Sequence, residues 1–247
     1  MHRSASGGRR RRARRAPRRT PLGTALGLLG ELLVTAGALV LLYVGYVLWG
    51  TGIQTGIAQD ELREQTLGAW AEPQAAGANG TTGDEEPEAE AEPHQALEDV
   101  QPGDGYALIR VPRLGADWEW VVVEGTDLTH LTEGPGHYVD SADPGELGNL
   151  AIAGHRSGHG APFHELDRLR AGDVIDIETA DGVWTYTVDQ PPTVIEPTDV
   201  WVVDPVPGEP STAEPTERRI TLTTCHPRYG SSQRMYVSGV LSSGEEV

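Results

Sequence analysis

Between Leu32 and Gly50 the chain carries no charged residue. That is about the length a helix needs to cross the hydrocarbon of a bilayer. The run lies inside a longer apolar stretch, Leu22 to Trp49, whose one charge, Glu31, stands near its start. It is too long for the apolar region of a cleaved signal peptide. It closes on Tyr43, Tyr46 and Trp49, which read as an interfacial belt. Nine of the 19 basic residues precede it, in Met1–Thr20, with no acid among them. An arginine-rich tail can bind nucleic acid. Directly ahead of an apolar span it reads instead as a topology signal, with the tail in the cytoplasm and everything after the span outside. Residues 1–21 are therefore a cytoplasmic tail and 22–50 a signal-anchor helix. Hydrophobic residues make up 38% of the chain, enough for one core and too few for a bundle of spans.

Past the span the balance of charge reverses. After Thr20 the sequence has 10 basic residues, all arginine, against 37 acidic ones, all but Glu31 past the span. Residues 51–71 read as a short helical stalk. From Glu72 to His94 the segment EPQAAGANGTTGDEEPEAEAEPH is acidic and lacks apolar periodicity, so it cannot bury enough surface to offset its ordering entropy. It reads as an extended, self-repelling linker. Residues 51–103 thus form stalk and linker, and 104–247 the folded domain.

In that domain the apolar pattern is short and alternating. YALIRVP, WEWVVVEG and NLAIAGH are strand candidates. DVIDIETADGVWTYTVDQ reads as a hairpin turning at Asp181-Gly182. PFHELDRLRAG carries Leu166 and Leu169 at helical spacing and stops at Gly172, predicting a short helix. TDLTHLTEGPGHY predicts one helical turn running into a glycine-rich loop, and VPGEPSTAEPTERR a long polar loop. Six to eight short strands over roughly 140 residues make an all-β barrel or sandwich.

The last two strands, in ITLTTCHPRYGSSQRMYVSGVL, hold the one cysteine of the chain. Alternation sends Ile220, Leu222 and Thr224 to one face and Thr221, Thr223 and Cys225 to the other. If the two runs pair across the loop 226–233, Cys225 and Arg234 share one end of neighbouring strands. A cation favours the thiolate and stabilises the oxyanion formed when a carbonyl is attacked. The missing proton donor is a histidine. His155, after the NLAIAG run, is the candidate, 70 positions upstream.

These residues carry a resemblance. TLTTCHPRYGSSQR resembles the sortase signature, T-L-x-T-C with an arginine after a short loop. GPGHYVDSADPGELGNLAIAGHRSGHGAPFHEL resembles the sortase segment bearing the catalytic histidine. His-Pro after the cysteine and the upstream Gly-His-Tyr are most similar to class E, the housekeeping sortases of many high-GC Gram-positive bacteria. The resemblance covers roughly Gly105 to Leu241. It implies a closed barrel of about eight strands with a groove on one side. It also implies a cysteine transpeptidase in which Cys225, His155 and Arg234 cleave a sorting signal between Thr and Gly. The Thr carboxyl is then joined to an amine of a cell-wall precursor. For class E the implied signal is Leu-Ala-x-Thr-Gly, and Tyr138 and Thr224 are the expected substrate contacts.

Each site residue has a plainer reading. A free cysteine is often a small buried hydrophobe, and Arg234 can be an ordinary surface ion-pair partner. His137, His159, His164 and His226 compete with His155. His155 and His159 have the spacing of two ligands on one helical face, but glycines 154, 158 and 160 oppose a helix and no second cysteine or acidic cluster completes a zinc set. No metal, cofactor or nucleic-acid partner is expected. Three alternatives to the housekeeping reading stand. One is a cysteine peptidase with the same site, and another a non-catalytic tethered wall-binding domain. The third is a pilin-type sortase, for which a lid and a second span after Leu241 are expected and not found.

Overall fold

The computed structural model describes residues 21–71, 97, 100–210 and 212–246. The arginine-rich tail and the acidic linker 72–96 lie outside the described residues. Helix α1, Pro21–Gly45, forms one compact unit. Its residues Leu22–Gly45 are long and apolar enough to cross a membrane, and none is buried. The second unit runs from Tyr46 to Val247.

This second unit opens with a π-helical turn, Tyr46–Gly50, and helix α2, Thr51–Ala71. Strands follow at Gly105–Arg110 (β1), Glu119–Glu124 (β2), Gly136–His137 (β3), Gly148–Ala153 (β4), Val174–Thr179 (β5), Gly182–Val188 (β6), Thr193–Ile195 (β7), Arg218–His226 (β8) and Gln233–Glu246 (β9). A single helical turn, α3, occupies Leu128–Leu131. The strands pair in the order β6-β5-β1-β2-β3-β4-β8-β9, and β6 pairs again with β9, closing an eight-stranded barrel. β9 is long enough to serve two partners along the edge away from β8. Its first residues, Arg234 to Tyr236, pair with β7, and Gly239 to Glu246 pair with β6. Most pairings are antiparallel, but β4 runs parallel to β8.

The interior is filled as the alternation predicts. Every second residue of β5 and β6 is buried, and Ile175, Ile177, Tyr186, Ile220 and Leu222 meet in one core. Two local expectations shift. The hairpin turns at Ala180-Asp181, with Gly182 already paired to Thr179. The expected helix near Leu166 is only a three-residue 3-10 turn, Leu166–Arg168. Phe163, Leu166 and Leu169 are all buried. A spacing of three brings side chains onto one line in a 3-10 turn, not in an α-helix.

The stalk reading of residues 51–71 catches the helix and misses its partner. α2 packs on the barrel, with Leu62 and Trp70 against Leu108, Val121 and Val123. β3 covers only Val123 and Glu124 of β2. The Gln59 amide completes that edge: its Nε2 donates to the carbonyls of Val121 (3.0 Å) and Glu133 (2.9 Å), and its Oε1 accepts the Val121 N–H (2.8 Å). Arg63 pairs with Glu119, which also takes Arg110. Much of this contact is polar, so hydropathy does not reveal it.

Candidate functional site

Parallel strands end at the same edge of a sheet, and this brings together residues far apart in the chain. β4 and β8 are in register at Ala153 and Thr223. The Gly154 N–H donates to the Thr223 carbonyl (3.0 Å), and the Thr224 hydroxyl donates to the Gly154 carbonyl (2.7 Å). Two residues past the ladder, His155 stands level with Cys225. On the other side of β8, Cys225 is the direct cross-strand partner of Arg234 in β9. His155, Cys225, Arg234, Tyr138 and Thr224 all line one groove of about 310 Å³.

Ile195, Pro197, Val200, Val202, Leu128 and Leu131 supply the apolar lining of this groove. The fully buried Asn149 holds the Val202 segment. Its Nδ2 donates to the carbonyls of Val202 (3.0 Å) and Asp204 (3.1 Å), while its Oδ1 accepts the Thr221 hydroxyl (2.8 Å).

Arg234 is aimed by its own loop. Its Nη1 donates to the carbonyls of Ser231 and Gln233, both at 3.0 Å, and its other nitrogens bond no described residue. A guanidinium held this way presents fixed donors at small entropic cost. Cys225 is a free, half-buried thiol. Burial and the neighbouring His159 hold the His155 imidazole below the ordinary histidine pKa. The neutral ring is favoured, and protonation must work against desolvation.

The competing histidines separate by location. His137 is 2% exposed and stacks on Tyr106 at 4.1 Å. Its Nδ1 donates to Glu124 (2.8 Å) and its Nε2 meets the Ser141 hydroxyl (2.9 Å). This buried chain fixes the backbone next to Tyr138 and does not line the groove. His164 Nδ1 donates to the Arg156 carbonyl (2.9 Å). His159 stacks on His155, ring centroids 4.9 Å apart. Among the described residues, no group of three or more His, Cys, Asp or Glu is placed to hold a metal ion.

Sequence reading missed a clamp between the two loops that carry His155 and Cys225. Arg156, 3% exposed, donates from Nη1 to His226 Nδ1 (2.8 Å) and pairs with Asp167 (3.2 Å). Arg228 holds the same carboxylate at 3.0 Å. Burial would raise the Asp167 pKa, but Arg156 and Arg228 outweigh it and keep the carboxyl below its ordinary value. The residues after His155 and after Cys225 are thus in direct contact, and Asp167 joins Arg156 to Arg228. A signal existed in the sequence, since Arg156 and His226 each follow a candidate catalytic residue, but nothing in it says that they meet.

Known proteins resemble this chain in sequence and in fold. The sortase domain family matches residues 109–242. The chain is 35% identical to sortase SrtE2 of Streptomyces coelicolor, over 96% of this chain and 89% of that protein. It is 33% identical to sortase SrtE1 of the same organism over 92% of this chain, and spans 61% of that relative's length. The crystal structure of sortase E from Streptomyces avermitilis superposes with a TM-score of 0.54 at 40% identity, covering 60% of this chain and 94% of that one.

Proposed function

The chain belongs to the sortase family of transpeptidases, and on that premise we propose that it is a membrane-anchored class E enzyme that joins secreted proteins to a cell-wall precursor. The observation that carries this reading is the cross-strand pairing of Cys225 with Arg234 opposite His155 in one groove.

The Cys225 thiolate attacks the Thr carbonyl of a Leu-Ala-x-Thr-Gly signal. Arg234 donates to the oxyanion of the tetrahedral intermediate. As the C–N bond breaks, the His155 imidazolium gives its proton to the departing glycine amine. A thioester on Cys225 remains. The acceptor amine attacks it, neutral His155 takes the amine proton, and the thiolate leaves. Burial and His159 lower the His155 pKa and so favour the neutral imidazole.

Tyr138 and Thr224 contact the bound peptide. Thr224 does so as a wall of the groove, since its hydroxyl proton is already given to Gly154. α1 crosses the membrane, the arginine-rich tail stays in the cytoplasm and the barrel works outside the cell. The charge of the tail and the apolar length of α1 support this orientation.

The test uses the full chain in detergent micelles with a quenched Leu-Ala-x-Thr-Gly peptide, with and without triglycine. Mass spectrometry should find a thioester on Cys225 and triglycine joined after Thr. Cleavage with no ligation product would convert the reading to a peptidase. A folded protein giving neither adduct nor cleavage would leave a binding module.

A further inference from the structure

Helix α2 reaches the loop that carries His155. The Thr51 hydroxyl accepts the backbone N–H of His159 at 3.1 Å and donates to the Val47 carbonyl at 2.9 Å. One turn further on, Thr55 closes on Gly160. A β-carbon at Gly160 would stand 3.3 Å from the Thr55 methyl and 2.6 Å from the Trp120 ring.

The held segment is strained. Residues 158 to 161 all have positive φ, including the two non-glycine residues His159 (46°) and Ala161 (47°). Such a backbone is sterically costly for a non-glycine residue and persists only where its surroundings impose it. Here α2 supplies part of that imposition. The product is the position of the His159 ring, stacked on His155 at 4.9 Å with 29° between the planes.

We propose that Thr51 and His159 are positioning residues for His155: α2 holds the left-handed turn, the turn presents the His159 ring, and that ring sets the orientation of the His155 imidazole. The proposal rests on the reading of His155 as proton donor. Its consequence is that the helix following the membrane span in sequence belongs to the catalytic unit. A spacer would have no reason to bond the histidine loop. The titratable and charged groups around His155 are His159 on its own loop, and Cys225, Arg234, Tyr138 and Asp199 in the lining of the same groove. The depressed proton affinity of His155, to which His159 contributes after burial, agrees with the contact.

The test compares Thr51→Val, Thr51→Ser and His159→Asn in the full chain in micelles, below their melting temperatures, with the quenched peptide across pH. Thr51→Val should lower kcat by a few-fold to about tenfold, the worth of one hydrogen bond, with KM unchanged. It should also move the acid limb of the pH profile upward, because a displaced His159 no longer disfavours the charged ring. Thr51→Ser should restore both, and His159→Asn should move the limb the same way. A wild-type limb and kcat in Thr51→Val and His159→Asn would overturn the proposal, even if melting temperatures fell. So would a Thr51→Ser protein as impaired as Thr51→Val. His155→Ala separates the underlying reading: if that variant still transfers the peptide, the assignment of His155 fails, whatever α2 does.

Discussion

Arg156 Nη1 lies 2.8 Å from His226 Nδ1. Each residue directly follows a catalytic candidate, so this one contact ties the His155 loop to the Cys225 strand end. The guanidinium also decides which imidazole nitrogen accepts, leaving the His226 proton on Nε2 when the ring is neutral. Replacing Arg156 by Met should cost about 1–3 kcal/mol, because the His226 nitrogen and one side of Asp167 lose a buried partner. Turnover should fall more than substrate affinity. Chemical denaturation and a kcat against KM comparison measure the two effects.

Cys225→Ala should give no thioester adduct by mass spectrometry with the fold intact. Arg234→Ala should lower kcat by about 10²–10³, the usual loss for one oxyanion donor. Its melting temperature should change little, since the guanidinium bonds only carbonyls of its own loop. An Arg234→Ala protein that unfolds would assign the arginine to stability instead.

Asp167 predicts a pH effect of known sign. Its folded pKa lies below the unfolded value because of Arg156 and Arg228, which outweigh burial. The stability it contributes is therefore present above the unfolded carboxyl pKa of 3.8 and is lost as pH falls through the folded value. Asp167→Asn should flatten the loss of stability below that pH. Urea midpoints measured from pH 6 down to the acid transition check it.

The docked helix predicts where the protein can be cut. Leu62→Ala should destabilise by about 2–3 kcal/mol, the cost of emptying a buried leucine site. Gln59→Leu should cost about 1–3 kcal/mol by leaving the Val121 edge unpaired. A chain beginning at Gly105 should melt lower than one beginning at Tyr46, with Leu108, Val121 and Val123 uncovered. Calorimetry of the two chains gives the difference directly.

An all-β barrel or sandwich was legible in the residues because β5 and β6 alternate strictly, and alternation reports which face of a strand is buried. The same logic put Cys225 and Arg234 at one end of two strands, since a short loop leaves an antiparallel hairpin little choice of register. The 3-10 turn at Leu166 was misjudged because a spacing of three suits either helix type until the core demands one. The docking of α2 was illegible because its contacts run through Gln59, Thr55 and Arg63, whose polarity marks a solvent face in a pattern reading.

By itself the sequence determined the apolar span, the strand pattern and the local chemistry of Cys225 and Arg234. All of these depend on residues close together in the chain, where periodicity and charge carry the information. Only the tertiary structure decided that His155 and Cys225 line one groove, that Arg156 clamps His226, and that Thr51 reaches His159. These depend on the parallel pairing of β4 with β8 and on polar side chains matched across space, and neither leaves a period in the chain.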